Sequence, residues 1–585
     1  MADLVISLRS CEAICAASSS PWQQQHRADA LTPIRLHIIL RATERHGNLD
    51  DIASHISDPS HARYRQHLSA RELQTLFRPD VAQLDDVSAW LKCAGLDAKV
   101  IRSHAFQVST TIGEAESLLN ATYHIYTNGE RSTVRTTSYT VPESLKEHID
   151  FVTPTTAFPF ARNPISRSPE ALKVINLQQR STCTASDYTT PACVRQAYNI
   201  TYTAQPNRTT FAIYATEAAS YRRADMDKFL KTYNSPAAAA NAQVTVVGTG
   251  DAKEGSPGIT GAFETHLDTQ TAFGLAWPAQ GILYNMGGVF GPTPGQVYDP
   301  FVSFLQELLT NETVPSVVSF SESMPEDMVD PAYARSVCNM MRDVGTRGVS
   351  LLFSSGDNGP QGDQPTGKHS MVFEPEFPAS CPWVTSVGGT TNVAAETAAT
   401  QQTISGLINK LSYTASGGGF SNMFLRPAYQ NEAVSAYVKN SVPSTYSQYP
   451  GFNASGRGMP DVSALSTNFP VVYLGLTFGV GGTSASTPLW AAIVTLLNDY
   501  EASQDLPPLG FLNTWLYSLS SNGLRDITSG GFNNGSCNWL SGCRLPATPG
   551  YPVTNGWDAV TGLGSPIFEQ LQRALDVQAA AGRSS

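Results

Sequence analysis

From Thr209 onward, short apolar strand-like runs alternate with stretches of helical periodicity, and this alternation constrains the fold more than any other feature of the chain. The strand candidates are Phe211-Ala-Ile-Tyr214, Val244-Thr-Val-Val247, Gly281-Ile-Leu-Tyr284, Val317-Val-Ser-Phe320 and Val349-Ser-Leu-Leu-Phe353. Between them lie helical candidates at Arg223–Tyr233, Ala262–Ala276, Pro300–Leu309 and Pro331–Asp343. Continuous apolar strands separated by helices call for a parallel sheet covered on both faces, because a parallel strand has no solvated side. Such a domain needs a large core. With 41% hydrophobic and 15% charged residues over 585 positions, the sequence can supply one.

A different unit precedes it. Residues 33 to about 160 read as compact α+β, with strands at Ile34–Leu40, Lys99–Thr110 and Thr122–Tyr126. Its helices are expected at Leu49–Ile56, Ala70–Phe77 and Asp80–Gly95, the last carrying apolar residues at Val81, Leu84, Val87 and Leu91. Around Arg162–Arg180 the chain turns polar, with Pro164, Arg167, Pro169 and Arg180, as expected of an exposed linker that a protease can cut. The expected layout is an atypical N-terminus over 1–30, the α+β unit over 31–160, a linker over 161–185 and one large α/β domain over 186–578.

The formal charge of −11, with no dense Lys/Arg block, argues against phosphate-backbone binding, so no nucleic-acid partner is expected. No apolar run of about 18 residues occurs, so no membrane span is expected. Asp3, Arg9 and Glu12 interrupt any apolar core in the first 21 residues, and no signal peptide is evident. Nine cysteines are present; Cys183/Cys193 and Cys537/Cys543 are spaced to close small loops, and no CxxC pair suggests zinc or a redox site. N-x-S/T sequons stand at Asn120, Asn199, Asn207, Asn311, Asn453 and Asn534. Together with an even set of later cysteines they favour an oxidising, exported setting.

Three short patterns can carry chemistry. Gly481-Gly-Thr-Ser484-Ala-Ser-Thr-Pro488 precedes an apolar run, which places Ser484 at a helix start where free N–H groups favour developing negative charge. Pro488 is expected in the first helical turn, where its missing N–H is harmless. Glu264 and Asp268 are spaced i,i+4, so on a helix both carboxyls project from one face and tend to share a proton. Asp357, in Ser354-Ser-Gly-Asp-Asn-Gly359 directly after a buried-type strand, falls where sites gather in open parallel sheets. If protonated, it can donate a hydrogen bond to an oxyanion. Taken singly, the three also read as a capped helix start, a solvated acidic face and an ordinary turn.

No His-Gly-Thr stretch supplies a histidine base for Ser484. His266 lies two residues from Glu264, off its helix face, and reads as a surface histidine.

Gly-Thr-Ser484-Ala-Ser, Glu264-x-x-x-Asp268 and Ser-Ser-Gly-Asp357 together resemble the signature of the sedolisins, the serine-carboxyl peptidases that include tripeptidyl-peptidases. Further matches are Phe377-Pro-Ala-Ser-Cys-Pro-Trp-Val-Thr-Ser-Val-Gly-Gly389, Ser416-Gly-Gly-Gly-Phe-Ser421 and Gly456-Arg-Gly-Met-Pro-Asp-Val-Ser463. Asp58-Pro-Ser-His-Ala-Arg-Tyr-Arg-Gln-His-Leu-Ser69 is similar to the stretch that marks the family's activation prosegment. The resemblance implies a subtilisin-like fold, with Ser484 as nucleophile, Glu264 as base, Asp268 supporting it and Asp357 serving the oxyanion hole. It also implies a prosegment that acts as an intramolecular inhibitor, and peptide or protein substrates.

Leu524-Arg-Asp526-Ile527-Thr-Ser-Gly530 and Asn555-Gly556-Trp-Asp558-Ala-Val-Thr-Gly-Leu-Gly564 resemble the family's calcium-binding segments. One structural Ca2+ is therefore expected, on the carboxylates of Asp526 and Asp558 and carbonyls of Ile527, Thr554 and Gly556. The family usually has glycine at the position of Thr554. The overall expectation is a monomeric, secreted, acid-acting tripeptidyl-peptidase made as an autoprocessed precursor. The alternatives are an acid endopeptidase of the same family, an inactive binding homologue, and a vacuolar or lysosomal rather than extracellular location.

Overall fold

The computed structural model describes residues 3–7, 22–41, 49–76, 79–101, 105–128, 131–159, 166–167, 183–184, 187–215, 221–248, 262–286, 297–362, 373–400, 402–404, 412–519, 522–534 and 549–584. Seven parallel strands form the main sheet, in the spatial order Thr245–Val247, Gln280–Asn285, Thr210–Ala215, Val317–Phe320, Ser350–Ser354, Thr385–Thr391 and Val462–Leu465. Thr397–Ala398 adds a short antiparallel edge to Thr385–Thr391. The first strand of this series in the chain, Thr210–Ala215, lies inside the sheet. The order therefore reverses beside it, the kind of switch point at whose carboxyl ends open parallel sheets place their sites.

Side chains alternate between the two faces with the strand period of two. On one face Phe211, Ile213, Val317 and Leu352 pack with the helices Ala262–Ala276 and Thr483–Ala502. On the other, Ala212, Tyr214, Val318, Phe320, Leu351 and Phe353 pack with Pro300–Thr310 and Pro331–Thr346. Both helices of this second face start with a proline at the first helical position behind an aspartate cap. Asp299 accepts from the Val302 N–H, and Asp330 from the N–H groups of Ala332 and Tyr333.

The N-terminal unit is an antiparallel sheet in the order Ala98–Ile101, Ala105–Thr111, Pro33–Leu40, Ile149–Thr153, with its own core of Ile34, Leu36, Val87, Leu91, Phe106 and Val108. The single strand expected over 99–110 is two strands paired back on each other. Residues from the first 30 take part: Gln23–Arg27 pairs with His124–Asn128 and Asp3–Ser7 with Ser138–Pro142.

This unit docks on the second face. Ile39, Leu73, Ala105, Phe151 and Ala157 join the core around Pro300–Thr310 and Pro331–Thr346. Thr153 donates to Asp299 at 2.6 Å, Arg342 pairs with Asp50 at 2.7 Å, and Arg65 forms a buried pair with Glu501 at 2.5 Å. His67 Nε2 lies 2.7 Å from the Pro508 carbonyl, its ring set over Gly348 and Gly510 so closely that a Cβ at either would overlap it.

Of the expected 161–185 linker, only 166–167 and 183–184 are described. Ser166–Arg167 pairs antiparallel with Val480–Gly481, which places this piece beside the strand leading into Ser484. Disulfides join Cys183 to Cys193 and Cys338 to Cys381. The expected Cys537/Cys543 loop lies outside the described residues.

Candidate active site

The helix that starts at Thr483 follows the hairpin Phe469–Tyr473/Leu476–Gly481 and runs for 20 residues through the core. The helix Ala262–Ala276, a crossover between two parallel strands, packs along it. Its orientation is set by Gln270, whose amide both donates to the Val472 carbonyl and accepts from the Val472 N–H, each at 2.8 Å. That two-bond clamp fixes which way Glu264 and Asp268 face, one turn apart on the same side. Glu264, Asp268 and Ser484 are 5%, 1% and 2% exposed, so the acidic pair is not a solvated helix face. A Ser321 hydroxyl, just after the strand Val317–Phe320, lies 3.1 Å from Asp268 Oδ1 and 3.4 Å from the Ser484 carbonyl oxygen.

Asp357 follows the strand Ser350–Ser354. Its Oδ1 accepts from the Thr483 N–H at 2.7 Å and lies 3.1 Å from the Thr483 hydroxyl, one residue before Ser484. Oδ2 faces Gly482, whose φ is +139°, and a Cβ there would fall 2.6 Å from that oxygen. Glycine is thus required twice, for the backbone angle and for the approach of the carboxyl group. Burial pushes the Asp357 carboxyl up to about 6, partly offset by the two donors of Thr483. The carboxyl thus keeps its proton to higher pH than an exposed aspartate does.

The other motifs act as struts. Ala415 and Gly417 donate to the carbonyls of Asp357 and Gly356 at 2.9 and 2.8 Å, so the Ser416-Gly-Gly-Gly segment holds the Asp357 loop. Asp461 accepts from the Ser386 N–H and from Arg457 with no solvent exposure at either side chain, locking the strands Thr385–Thr391 and Val462–Leu465 together at their entry.

Two expectations are corrected. His266 is fully buried, accepting from the Arg222 N–H at 3.3 Å, with its ring near Tyr221 and Tyr473 and Asp225 Oδ2 at 3.8 Å. The partners that bury it come from a separate helix and hairpin, which local spacing does not reveal. Pro488 lies inside the helix rather than in its first turn, because the helix already begins at Thr483. Its missing N–H is therefore a real loss to the ladder.

At the C-terminal end, Asp526 Oδ2 accepts from the Gly556 N–H at 2.7 Å, and Asp558 Oδ2 from the Thr554 N–H at 3.0 Å. Both carboxylates thus converge on one loop, 554–556. Asp526 Oδ1 and Thr554 Oγ1 are buried with no hydrogen-bond partner, and burial pushes Asp558 up to about 7. Unsatisfied oxygens with one buried and one half-buried carboxylate fit a hard cation that takes oxygen ligands. Among the described residues no group of three or more His, Cys, Asp or Glu side chains is placed to hold a metal ion. A cation here would accordingly rest on two carboxylates and backbone carbonyls.

A serine at a helix start, two acids on the neighbouring helix and a third buried acid beside that helix start form an arrangement compatible with serine-carboxyl chemistry. Comparison with known proteins agrees. The family described as Pro-kumamolisin, activation domain, matches residues 20–158. The tripeptidyl-peptidase SED2 of Arthroderma otae is 34% identical over 584 residues, covering 95% of this chain and 94% of that protein. Tripeptidyl-peptidase sed4 of Aspergillus fumigatus is 32% identical, covering 96% of this chain and 95% of that protein. Among solved structures, Pseudomonas sedolisin (a serine-carboxyl proteinase) superposes with a TM-score of 0.50 at 22% identity, over 68% of this chain and 99% of its own. The chain belongs to the sedolisin family of serine-type peptidases and carries its activation domain.

Proposed function

We propose that this chain is the precursor of an acid-acting tripeptidyl-peptidase whose reacting groups are Ser484, Glu264, Asp268 and Asp357. The observation that carries the reading is the convergence of the buried acids on the first turn of the Ser484 helix, Asp357 through Thr483 and Asp268 through Ser321. Ser484 Oγ attacks the peptide carbonyl carbon while Glu264 accepts its proton, and Asp268 shares and tunes that proton. The neutral Asp357 carboxyl donates to the oxyanion, in a water-poor setting where such a donor counts most. Glu264 returns the proton to the leaving amine, and water then releases the acyl group by the same steps. Tripeptide release from free N-termini, rather than internal cleavage, is favoured by full-length likeness to two fungal tripeptidyl-peptidases.

Residues 31–160, together with the strands Asp3–Ser7 and Gln23–Arg27 that pair with them, are assigned to the prosegment, 161–185 to a linker containing the maturation cut and 186–578 to the peptidase. The pairing of Ser166–Arg167 with Val480–Gly481 supports inhibition in cis, since it occupies the backbone edge that leads to the nucleophile. Asp526, Asp558 and carbonyls of Ile527, Thr554 and Gly556 are assigned to one structural Ca2+, which would tie down the loop and take no part in the chemistry. Two disulfides support export, and Asn120, Asn199 and Asn207 are exposed sequon sites where glycans fit. At Asn453 the amide donates to the Ser421 carbonyl at 2.7 Å, so a glycan there would have to take the other amide hydrogen. Among the described residues no helix is long and apolar enough to cross a membrane.

The test is acid incubation of purified precursor beside Ser484→Ala, followed by mass spectrometry and assay on peptides with free and blocked N-termini. Loss of about the first 180 residues and tripeptide release by the wild type alone is the expected result. Equal cleavage of blocked peptides would make it an endopeptidase, and no turnover at any pH would make it a binding homologue.

A further inference from the structure

The Ser484 carbonyl is the point at which the helix Thr483–Ala502 is interrupted. In an α-helix the carbonyl of residue i accepts from the N–H of residue i+4. For Ser484 that residue is Pro488, which has no N–H and whose ring crowds the same carbonyl. The preceding carbonyl has a side-chain donor: Thr487 Oγ1 donates to the Thr483 oxygen at 2.8 Å. The carbonyl of the nucleophile-bearing residue is deprived of its helical donor within a buried first turn. Such a group needs another partner.

Ser321 supplies the nearby hydroxyl, 3.4 Å from that oxygen and 3.1 Å from Asp268 Oδ1, and is 3% exposed. One hydroxyl carries one hydrogen. When Asp268 is ionised, the charge-assisted bond to the carboxylate takes it. When the proton shared with Glu264 sits on Asp268 Oδ1, that carboxyl donates to Ser321 Oγ, and the Ser321 hydrogen turns to the Ser484 carbonyl. The other acids near this junction are Glu264, one turn along the same helix, Asp357, which holds Thr483, and the buried Glu322, the residue after Ser321.

We propose that Ser321 is a positioning residue: it stands in for the helix bond that Pro488 deletes and couples the placement of Ser484 to the proton held by the Glu264/Asp268 pair. This rests on reading Ser484 and the acid pair as the reacting groups. Substrate would be unaffected in binding, since Ser321 acts on the enzyme backbone, so the effect belongs in kcat.

The experiment compares steady-state kinetics, across acid pH, of matured wild type, Ser321→Ala, Ser321→Thr, Ser321→Ala/Pro488→Ala and Ser484→Ala, on a peptide with a free N-terminus. Ser321→Ala is expected to lower kcat by about 10- to 100-fold with KM within about twofold, the loss of a hydrogen bond to a charged group. Ser321→Thr, which keeps the hydroxyl, restores kcat to within about threefold of wild type, and its acid limb follows the wild type. Adding Pro488→Ala supplies the missing N–H and recovers at least about threefold of the kcat lost in Ser321→Ala. If the double variant does not fold, Ser321→Cys, a weak donor of similar size, replaces it: a kcat above that of Ser321→Ala supports the role, and an equal one overturns it. The proposal also falls if Ser321→Ala stays within threefold of wild type, or if Pro488→Ala in a folded double variant recovers nothing. Turnover by Ser484→Ala would overturn the underlying site reading itself, and this inference with it.

Discussion

The two faces of the main sheet answer acidification in opposite ways. On the face of the Ser484 helix, burial holds Asp357 up to about 6, so its carboxyl gains a proton that an exposed aspartate would not keep there. On the face that carries the N-terminal unit, burial holds His37 and His67 down to about 4, so they refuse a proton that an exposed histidine would take. His67 sits against the Pro508 carbonyl with Arg65, itself paired to Glu501, as its charged neighbour; His37 has Asp299, Arg35 and Gln107 around it. A histidine that binds its proton less tightly when docked favours docking fully above about 6.5, and this contribution is lost as pH falls toward about 4. On the proposed assignment of Asp357 as oxyanion donor, its carboxyl takes up a proton below about 6, within the range over which the histidine contribution to docking is being lost. The same physical cause, desolvation, prepares one face for acid and makes the other yield to it.

The largest expected effect lies on the catalytic face. Glu264→Gln, which keeps shape but cannot accept a proton, should lower kcat by about a thousandfold or more, with KM little changed in a progress-curve assay. Asp357→Asn sharpens the comparison more finely. Its amide donates whatever the pH, so kcat should stay within about a hundredfold of wild type. The fall in rate that wild type shows as pH rises through about 6 should flatten. An unchanged descending limb in a pH–rate profile would assign that limb to another group. On the opposite face, His67→Gln keeps an N–H donor for the Pro508 carbonyl without a titrating ring. The pH at which half the precursor matures should drop by about half a unit, read by gel after timed acid incubation. No shift would show that the two faces do not respond to acid separately. The smallest effect is expected away from both: chelation should lower the Tm of the mature enzyme by about 3 °C, and Asp526→Ala should abolish that response in scanning calorimetry.

Much of the catalytic face was legible in the sequence. The helix Ala262–Ala276 and the strand Val317–Phe320 fall where the pattern puts them, because Phe263, Leu267 and the Val-Val pair advertise burial with the expected periods. The sheet's far side was not. Thr385–Thr391 reads Thr-Ser-Val-Gly-Gly-Thr-Thr, with no apolar run. Its glycines are needed because a Cβ at Gly388 would strike Pro460, Ser416 and the Val560 carbonyl, contacts made by segments distant in sequence. Cys338–Cys381 escaped for the same reason, since 43 residues separate partners that only the folded sheet brings together. Ser321 carries no pattern of its own; what could have exposed it is the arithmetic of Pro488, four residues after Ser484. His266 looked superficial because Arg222 and Asp225 lie far from it along the chain.

The strand Ser166–Arg167 lies against the edge that leads to Ser484, while the domain to which it is tethered is anchored on the opposite face of the sheet. A short tether of this kind holds its end at an effective concentration in the millimolar range, high enough to keep a weakly binding segment in place. Once the chain is cut between this strand and the peptidase domain, neither the strand nor the N-terminal domain is covalently held any longer, and the same contact becomes bimolecular. Dilution into the surrounding medium then removes the segment, even if its intrinsic affinity for the edge has not changed.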